Sequence, residues 1–199
     1  MGIRDYEQVI QGARTLLDLA IENEIESPRR ERNVALVAAL YSSGARISEL
    51  LSLTFGDLRN ENGSTIAWLP ITKNGKQHYI YLGDPLEFPA DAALDEYRSV
   101  RNRMYRGSRV TDATALFPSG RGHKAISRIQ AHRIIKALDP NFHCHLFRHA
   151  RLSEIYKATK DIKAVQMVAN HADIRSAARY THISLSEMVA SRREWSKQA

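Results

Sequence analysis

The segment Val34-Ala35-Leu36-Val37-Ala38-Ala39-Leu40-Tyr41 (residues 34–41) is apolar at every position. A helix that is apolar on all sides has no face suited to water, so it lies inside a domain with other elements packed around it. Ser27-Pro28 predicts the start of this helix, because proline is favoured at the first helical position. Gly44 predicts its end. The chain is therefore expected to fold around one central, buried helix.

Helical patterns lie on both sides of this segment. Asp5 is expected to cap a helix that runs to about Asn23, and Ile47, Leu50 and Leu51 have the i, i+3, i+4 spacing of a short helix after Gly44. Further helices are predicted over residues 90–103, 125–138, 145–158, 161–169, 174–180 and 184–196. Pro140 and the capping candidates Asp161, Asp173 and Ser184 mark the starts of the last four.

One region has the pattern of a β-sheet. Residues 64–71 and 77–82 are expected to form two strands joined by Lys73-Asn74-Gly75-Lys76, because Asn-Gly strongly favours a tight hairpin turn. The fold class expected is mostly α with a small antiparallel β-sheet, an α+β domain. With 199 residues, 43% of them hydrophobic, the chain is expected to form a single domain with one ordinary core.

Composition and charge restrict the functional class. No stretch approaches the roughly 18 apolar residues of a membrane span, and one cysteine, Cys144, excludes an internal disulfide. A cytoplasmic protein with no membrane partner is expected. Residues 101–151 carry 11 basic and 2 acidic side chains, a net charge of +9, whereas residues 1–100 carry −5. Such a block is typical of a protein that binds a polyanion, and nucleic acid is favoured over a merely solvated face.

The segment Phe142-His143-Cys144-His145-Leu146-Phe147-Arg148-His149 is the densest cluster of reactive side chains. His145 and His149 are one helical turn apart, as metal ligands can be, but Leu146 stands where a zincin helix has glutamate. No metal is therefore expected. His145 and Arg148 instead share one side near a helix start, where amide donors favour a phosphate. The simpler interpretation is a surface arginine beside a partly buried histidine.

Three other features are weak when taken alone. Arg46 and Glu49 are three residues apart and could form only a surface ion pair of small energetic value. Lys73 could simply solubilise a turn. His171 and Tyr180 lie nine residues apart near the C-terminus, where a tyrosine commonly belongs to the core.

Together, in this order, these segments resemble the catalytic domain of the tyrosine recombinases, which include the phage integrases and Xer-type enzymes. The resemblance runs from about residue 5 to residue 190. The matching segments are Ser43-Gly44-Ala45-Arg46-Ile47-Ser48-Glu49-Leu50, Thr72-Lys73-Asn74-Gly75-Lys76, His145-Leu146-Phe147-Arg148-His149, Val165-Gln166-Met167 through His171, and Tyr180-Thr181-His182.

The resemblance implies a nucleophile and its main partners. Tyr180 would attack the phosphodiester, and Arg46 and Arg148 would hold the non-bridging oxygens of the scissile phosphate. Lys73 would protonate the departing 5′-oxygen, with Lys76 as the other candidate. The exchange replaces one phosphodiester by another, so neither a metal nor ATP is needed and no cofactor is expected.

The remaining implied roles are supporting ones. His145 and His171 would move protons or bind phosphate, and Glu49 would support the site without touching the substrate. Two positions depart from the family pattern: Asn170 stands where glycine often precedes the last histidine, and Cys144 stands where proline is common. Because asparagine tolerates left-handed backbone angles, the turn at Asn170 is expected to survive.

The expected activity is that of a site-specific recombinase catalytic domain that forms a 3′-phosphotyrosine intermediate. The partner would be double-stranded DNA, with a tetramer on DNA, a monomer or weak oligomer when free, and possible accessory DNA-bending proteins. Residues 1–183 would be the catalytic body and 184–199 a C-terminal helix that packs on its own domain or on a neighbour.

Several alternatives stay open. The chain has no room for the N-terminal core-binding domain of most relatives, so a fragment and a naturally minimal recombinase of prokaryotic or phage origin both fit. A type IB topoisomerase-like enzyme and a catalytically silent DNA-binding regulator of the same fold are the rival functions.

Overall fold

The structure is a computed structural model that describes residues 28–62, 64–69, 78–82, 90–104, 111–119 and 124–170, together with the helical residues 11, 12 and 15. The described helices are α1 (Pro28–Ser43), α2 (Ile47–Ser52), α3 (Ala90–Met104), α4 (Arg128–Leu138), α5 (Cys144–Thr159) and α6 (Ile162–Ala169). A single 3-10 turn, Phe55–Asp57, precedes the strands β1 (Leu58–Glu61), β2 (Ser64–Leu69) and β3 (His78–Tyr81). The fold is mostly helical with one small antiparallel sheet, as the sequence predicts.

Helix α1 lies at the centre of the core. Every residue from Val34 to Tyr41 is at most 6% exposed, and α1 packs against α3 on one side and α5 on another. The one polar atom of this segment's side chains, the hydroxyl of Tyr41, donates a hydrogen bond to Glu154 Oε1 at 2.5 Å. The prediction of a central, buried helix is confirmed.

The helix ends follow local sequence signals. Gly44 ends α1 with φ of +58°, a conformation that glycine adopts without steric cost. Ser127 and Gln130 cap α4 reciprocally, with N–H to side-chain oxygen distances of 3.1 and 2.9 Å. Helix α4 therefore begins at Arg128 and not at 125, because Ala125 forms a β-bridge with Pro118. Asp161 caps α6 by accepting from the Lys163 N–H at 2.7 Å.

The sheet has one strand more than the two predicted. The strand order is β1-β2-β3, both pairs antiparallel, with Leu58 opposite Ala67 and Leu69 opposite His78. Strand β1 is largely exposed and lacks apolar alternation, so its sequence carries no strand pattern. The pair Glu61–Ser64 nevertheless closes a turn in which Asn62 has φ of +52°. Asn62-Gly63 is itself a hairpin signal in the sequence.

Several expected elements lie outside the described residues. They are the turn at 73–76, the helices at 174–180 and 184–196, and most of the helix after Asp5. Within the described part of the chain, no helix is both long enough and apolar enough to cross a membrane.

Candidate active site

Arg46 stands immediately before α2 and is held there by Glu49. Glu49 Oε2 accepts a hydrogen bond from the Arg46 backbone N–H at 2.8 Å, and Oε1 accepts from the Arg46 Nη1 at 2.9 Å. The Glu49 side chain is 12% exposed and the Arg46 side chain 40% exposed. Glu49 thus orients a guanidinium that an anion in solution can still reach.

Arg148 is buried, at 2% exposure, in the second turn of α5. Its Nη1 donates to the carbonyl of Gly44 at 2.8 Å, and its Nη2 donates to the carbonyl of Ala169 at 2.7 Å. One guanidinium therefore joins the loop before α2 to the end of α6. The simpler interpretation of the sequence, a surface arginine, is wrong.

His145 differs from Arg148 in burial. His145 is exposed near the start of α5, and its ring contacts that of His149 edge-on, with centroids 4.5 Å apart. Among the residues that the structure describes, no three side chains of the histidine, cysteine or carboxylate type come together as metal ligands. The exposed ring of His145 can contact an anion that lies on the surface of α5.

Cys144 is the first residue of α5 and is buried. Burial removes water from the thiol and raises its pKa from 9.0 to about 11, although a backbone hydrogen bond acts in the opposite direction. The thiol is thus protonated at neutral pH. Because the thiolate is the nucleophile and the metal ligand, Cys144 is suited to a packing role.

Asn170 ends α6 in the left-handed conformation, with φ of 45° and ψ of 49°. The expectation that asparagine preserves this turn is confirmed. Its side-chain Nδ2 lies 2.9 Å from Nδ1 of His78, the first residue of β3. His78 was not among the residues singled out from the sequence, because a contact between positions 78 and 170 has no local signal.

A cleft of about 150 Å³ opens between α2, β3 and the end of α6. Its lining includes Glu49, His78, Tyr79, Met167 and Val168. Pockets for small organic ligands are commonly about 300 Å³ or more. The described part of this cleft is smaller than that, and the exposed Arg46 side chain suits a partner that lies on the surface.

The structure brings together only part of the predicted site. Arg148 binds the carbonyl of Gly44, two residues before the Arg46–Glu49 pair, and His145 lies on the same helix as Arg148. The other candidates, Lys73, Lys76, His171 and Tyr180, lie outside the described residues. Lys73 and Lys76 lie in the segment 70–77, between the described residues Leu69 and His78. His171 directly follows Asn170, the last described residue.

The basic block of the sequence is divided between core and surface. Arg101 is 3% exposed, with its guanidinium 3.5 Å from the centre of the Phe55 ring, and Arg148 is equally buried. Helix α4, by contrast, presents a row of exposed nitrogen-bearing side chains, which are Arg128, His132, Arg133 and Lys136. We call these four residues the α4 basic face. The predicted polyanion can bind to this face of α4.

Comparison with known proteins agrees with these observations. Residues 11–187 match the model of the phage integrase family. Tyrosine recombinase XerC of Xanthomonas axonopodis pv. citri is 30% identical over 175 residues, which cover 85% of this chain and 52% of that protein. XerC of Bifidobacterium longum subsp. infantis is 27% identical over 173 residues, 84% of this chain and 48% of that protein.

A solved structure shares the fold. The XerH site-specific recombinase bound to its difH substrate, in a pre-cleavage complex, superposes with a TM-score of 0.71 at 22% identity, covering 93% of this chain and 52% of that one. The chain spans about half the length of the curated relatives it matches.

Proposed function

The chain belongs to the phage integrase family, and we propose that it is the catalytic domain of a site-specific DNA recombinase that breaks and rejoins DNA through a 3′-phosphotyrosine link. The observation that carries the proposal is the pair of hydrogen bonds from Arg148 to Gly44 and Ala169. Three segments that the family resemblance selected independently, around residues 46, 148 and 171, are thereby tied to one buried guanidinium.

Arg46 and Arg148 are suited to hold the scissile phosphate. Attack on a phosphodiester builds negative charge on the non-bridging oxygens, and fixed guanidinium groups stabilise that charge. Arginine stays protonated at any working pH, and its planar guanidinium can bind two oxygens of one phosphate. Glu49 fixes the direction of Arg46, so less rotational freedom is lost when the phosphate binds.

We assign the chemical step to Tyr180. Its hydroxyl oxygen attacks phosphorus and loses its proton to a histidine, His145 or His171. The bond from phosphorus to the 5′-oxygen breaks, and Lys73, or alternatively Lys76, donates a proton to that oxygen. The 5′-hydroxyl of another strand then attacks the phosphotyrosine, which joins the two strands and releases Tyr180. The phosphodiester energy is retained in the tyrosine link, so the exchange needs no ATP.

Double-stranded DNA is the proposed substrate. The α4 basic face supplies positive charge on one exposed helix of the described part, and proteins that neutralise phosphates with such residues bind DNA electrostatically. The XerH site-specific recombinase, whose structure shares this fold, was solved bound to its difH substrate.

We further propose a tetramer on DNA formed from monomers or weak oligomers, in the cytoplasm, with residues 184–199 packing on a neighbour and accessory DNA-bending proteins where the site requires them. Assembly is measured by the size of the protein–DNA complex and chemistry by the covalent adduct, so the two can be tested separately.

The proposal is tested with nicked suicide duplexes drawn from DNA that flanks the native gene, incubated without metal. The nick lets a short 5′-hydroxyl fragment diffuse away, so a covalent protein–DNA adduct accumulates and survives SDS. Wild-type protein is expected to form the adduct and Tyr180→Phe to form none while binding the same DNA. Binding without any adduct would favour the silent regulator. Relaxation of supercoiled DNA without strand exchange or tetramers would favour the topoisomerase-like enzyme.

A further inference from the structure

The contact between Asn170 and His78 joins two parts of the proposed site that are 92 positions apart in the sequence. The amide nitrogen and the ring Nδ1 are 2.9 Å apart, and both side chains are half-buried. Only the tertiary fold brings these two residues into contact.

On the α6 side, the backbone alone does not explain why this position is an asparagine. Asn170 has left-handed angles, and its N–H donates to the carbonyls of Gln166 and Met167. Glycine adopts this conformation with less strain than asparagine. What glycine lacks is the side-chain amide that reaches His78.

On the sheet side, His78 opens β3 and pairs with Leu69, the last residue of β2. The connection between these paired residues is 70–77, and it contains Lys73 and Lys76. His78 is the residue at which the connection 70–77 rejoins the sheet. A hydrogen bond to His78 therefore restrains one end of the segment that carries Lys73 and Lys76.

The residue before Asn170 is held as well. The Ala169 carbonyl accepts from Arg148 Nη2 at 2.7 Å. Two consecutive residues thus attach the end of α6 to α5 and to β3. The two residues before His171 are therefore anchored, Ala169 to Arg148 and Asn170 to His78.

We propose that the Asn170–His78 hydrogen bond is a positioning contact that sets the lysine of the β2–β3 connection for proton donation to the leaving 5′-oxygen. The inference rests on the proposed function. Both residues act through the lysine and neither touches the substrate. General acid catalysis contributes about 100- to 10,000-fold, and a displacement of about 1 Å can cost about 100-fold, so loss of the contact is measurable.

The test removes the amide and keeps the backbone, in Asn170→Gly. Adduct formation is timed on two suicide duplexes that differ only in the bridging 5′ atom, oxygen or sulfur. A thiol has a pKa of about 8.5, so a thiolate leaves without protonation, whereas an alkoxide needs the acid. Asn170→Gly is expected to slow cleavage about tenfold or more with oxygen and less than about twofold with sulfur. DNA affinity is expected to stay unchanged.

Asn62→Gly is the matched control. Asn62 is also left-handed, with φ of 52°, but it is exposed in the β1–β2 turn. This variant is expected to cleave both duplexes at the wild-type rate.

A second variant, His78→Phe, removes the acceptor from the other side and is expected to show the same substrate dependence. The double variant is then expected to be no slower than the slower single one. Equal slowing on oxygen and sulfur, or no slowing, would overturn the inference, as would additive effects in the double variant. If wild-type protein formed no adduct on either duplex, the proposed function itself would fail, and the inference with it. This outcome is seen with wild-type protein alone, so it is distinct from a failure of the inference, which is seen only in the variants.

Discussion

The buried guanidinium of Arg148 shows how one side chain organises the site. A charged group at 2% exposure is tolerated only when hydrogen bonds replace its hydration. The carbonyls of Gly44 and Ala169 supply two such bonds. The sequence predicted that Arg148 matters, but not that it is buried, because its carbonyl partners lie 104 and 21 positions away.

Arg148→Lys is expected to lose stability and activity together. A lysine ammonium keeps the charge but cannot reproduce the planar fork that reaches two carbonyls. We expect the free energy of unfolding to fall by about 2–4 kcal/mol and adduct formation to drop at least about 100-fold. Urea denaturation and the suicide-duplex assay measure the two effects. Arg59→Lys, at an exposed site on β1, is the control, and equal stability of the two variants would contradict the account.

Cys144 gives a pH prediction with a defined sign. Its pKa is raised from 9.0 to about 11 in the folded protein, so the unfolded thiol loses its proton first. Stability contributed by the protonated thiol is therefore complete well below pH 9 and decreases as the pH rises, by about 2 kcal/mol at pH 11. The measurement is urea denaturation from pH 7 to 11 for wild type and Cys144→Ala. The wild type is expected to lose more stability than the variant over this range. If stability fell by the same amount with pH in both proteins, the pKa of Cys144 would not be raised by folding.

Secondary-structure elements were predictable where the signal is local. Helix α1 followed from an apolar run between Pro28 and Gly44, and α6 from the cap at Asp161. Strand β1 was not predicted, although Asn62-Gly63 signals a hairpin after it, because three of its four residues are exposed and it lacks apolar alternation. The pattern in the sequence thus determines elements with a buried face, whereas an edge strand depends on its neighbour.

The join between α1 and α2 is expected to be intolerant of a side chain. A Cβ added at Gly44 would lie 3.2 Å from Cβ and Cγ of Arg151, and φ is +58°. We expect Gly44→Ala to destabilise the protein by about 2 kcal/mol or more, of which the left-handed backbone accounts for about 1–2 kcal/mol. The difference in stability between Asn62→Gly and Asn62→Ala, at another left-handed but exposed position, gives the backbone cost of a glycine-to-alanine change in the same thermal denaturation. A loss in Gly44→Ala no larger than this difference would mean that the close approach to Arg151 costs nothing.

In the molecule as a whole, positive charge is unevenly distributed. The first hundred residues carry a net charge of −5 and the next fifty-one +9. The sequence indicated a polyanion partner from this block, but only the structure separates the buried Arg101 and Arg148 from the exposed α4 basic face.

Replacing Arg128, Arg133 and Lys136 by glutamine is expected to weaken DNA binding and its salt dependence. Each lost phosphate contact lowers the slope of log affinity against log salt by about 0.9, so up to about 2.7 for three. A charge-matched variant with Arg29, Arg59 and Arg98 changed to glutamine, all exposed elsewhere, is expected to retain the wild-type slope. Fluorescence anisotropy at several salt concentrations measures both. The same slope in the two variants would show that net charge alone, and not this face, binds DNA.

Identification of the residue that is linked to DNA tests the assignment of Tyr180 as the nucleophile that holds a 3′-phosphate. The covalent adduct formed on a suicide duplex is digested with protease and nuclease, and the modified peptide is sequenced by mass spectrometry. The account predicts a nucleotide remnant on Tyr180, attached through the 3′-phosphate. A remnant on any other side chain, or attachment through a 5′-phosphate, would contradict it.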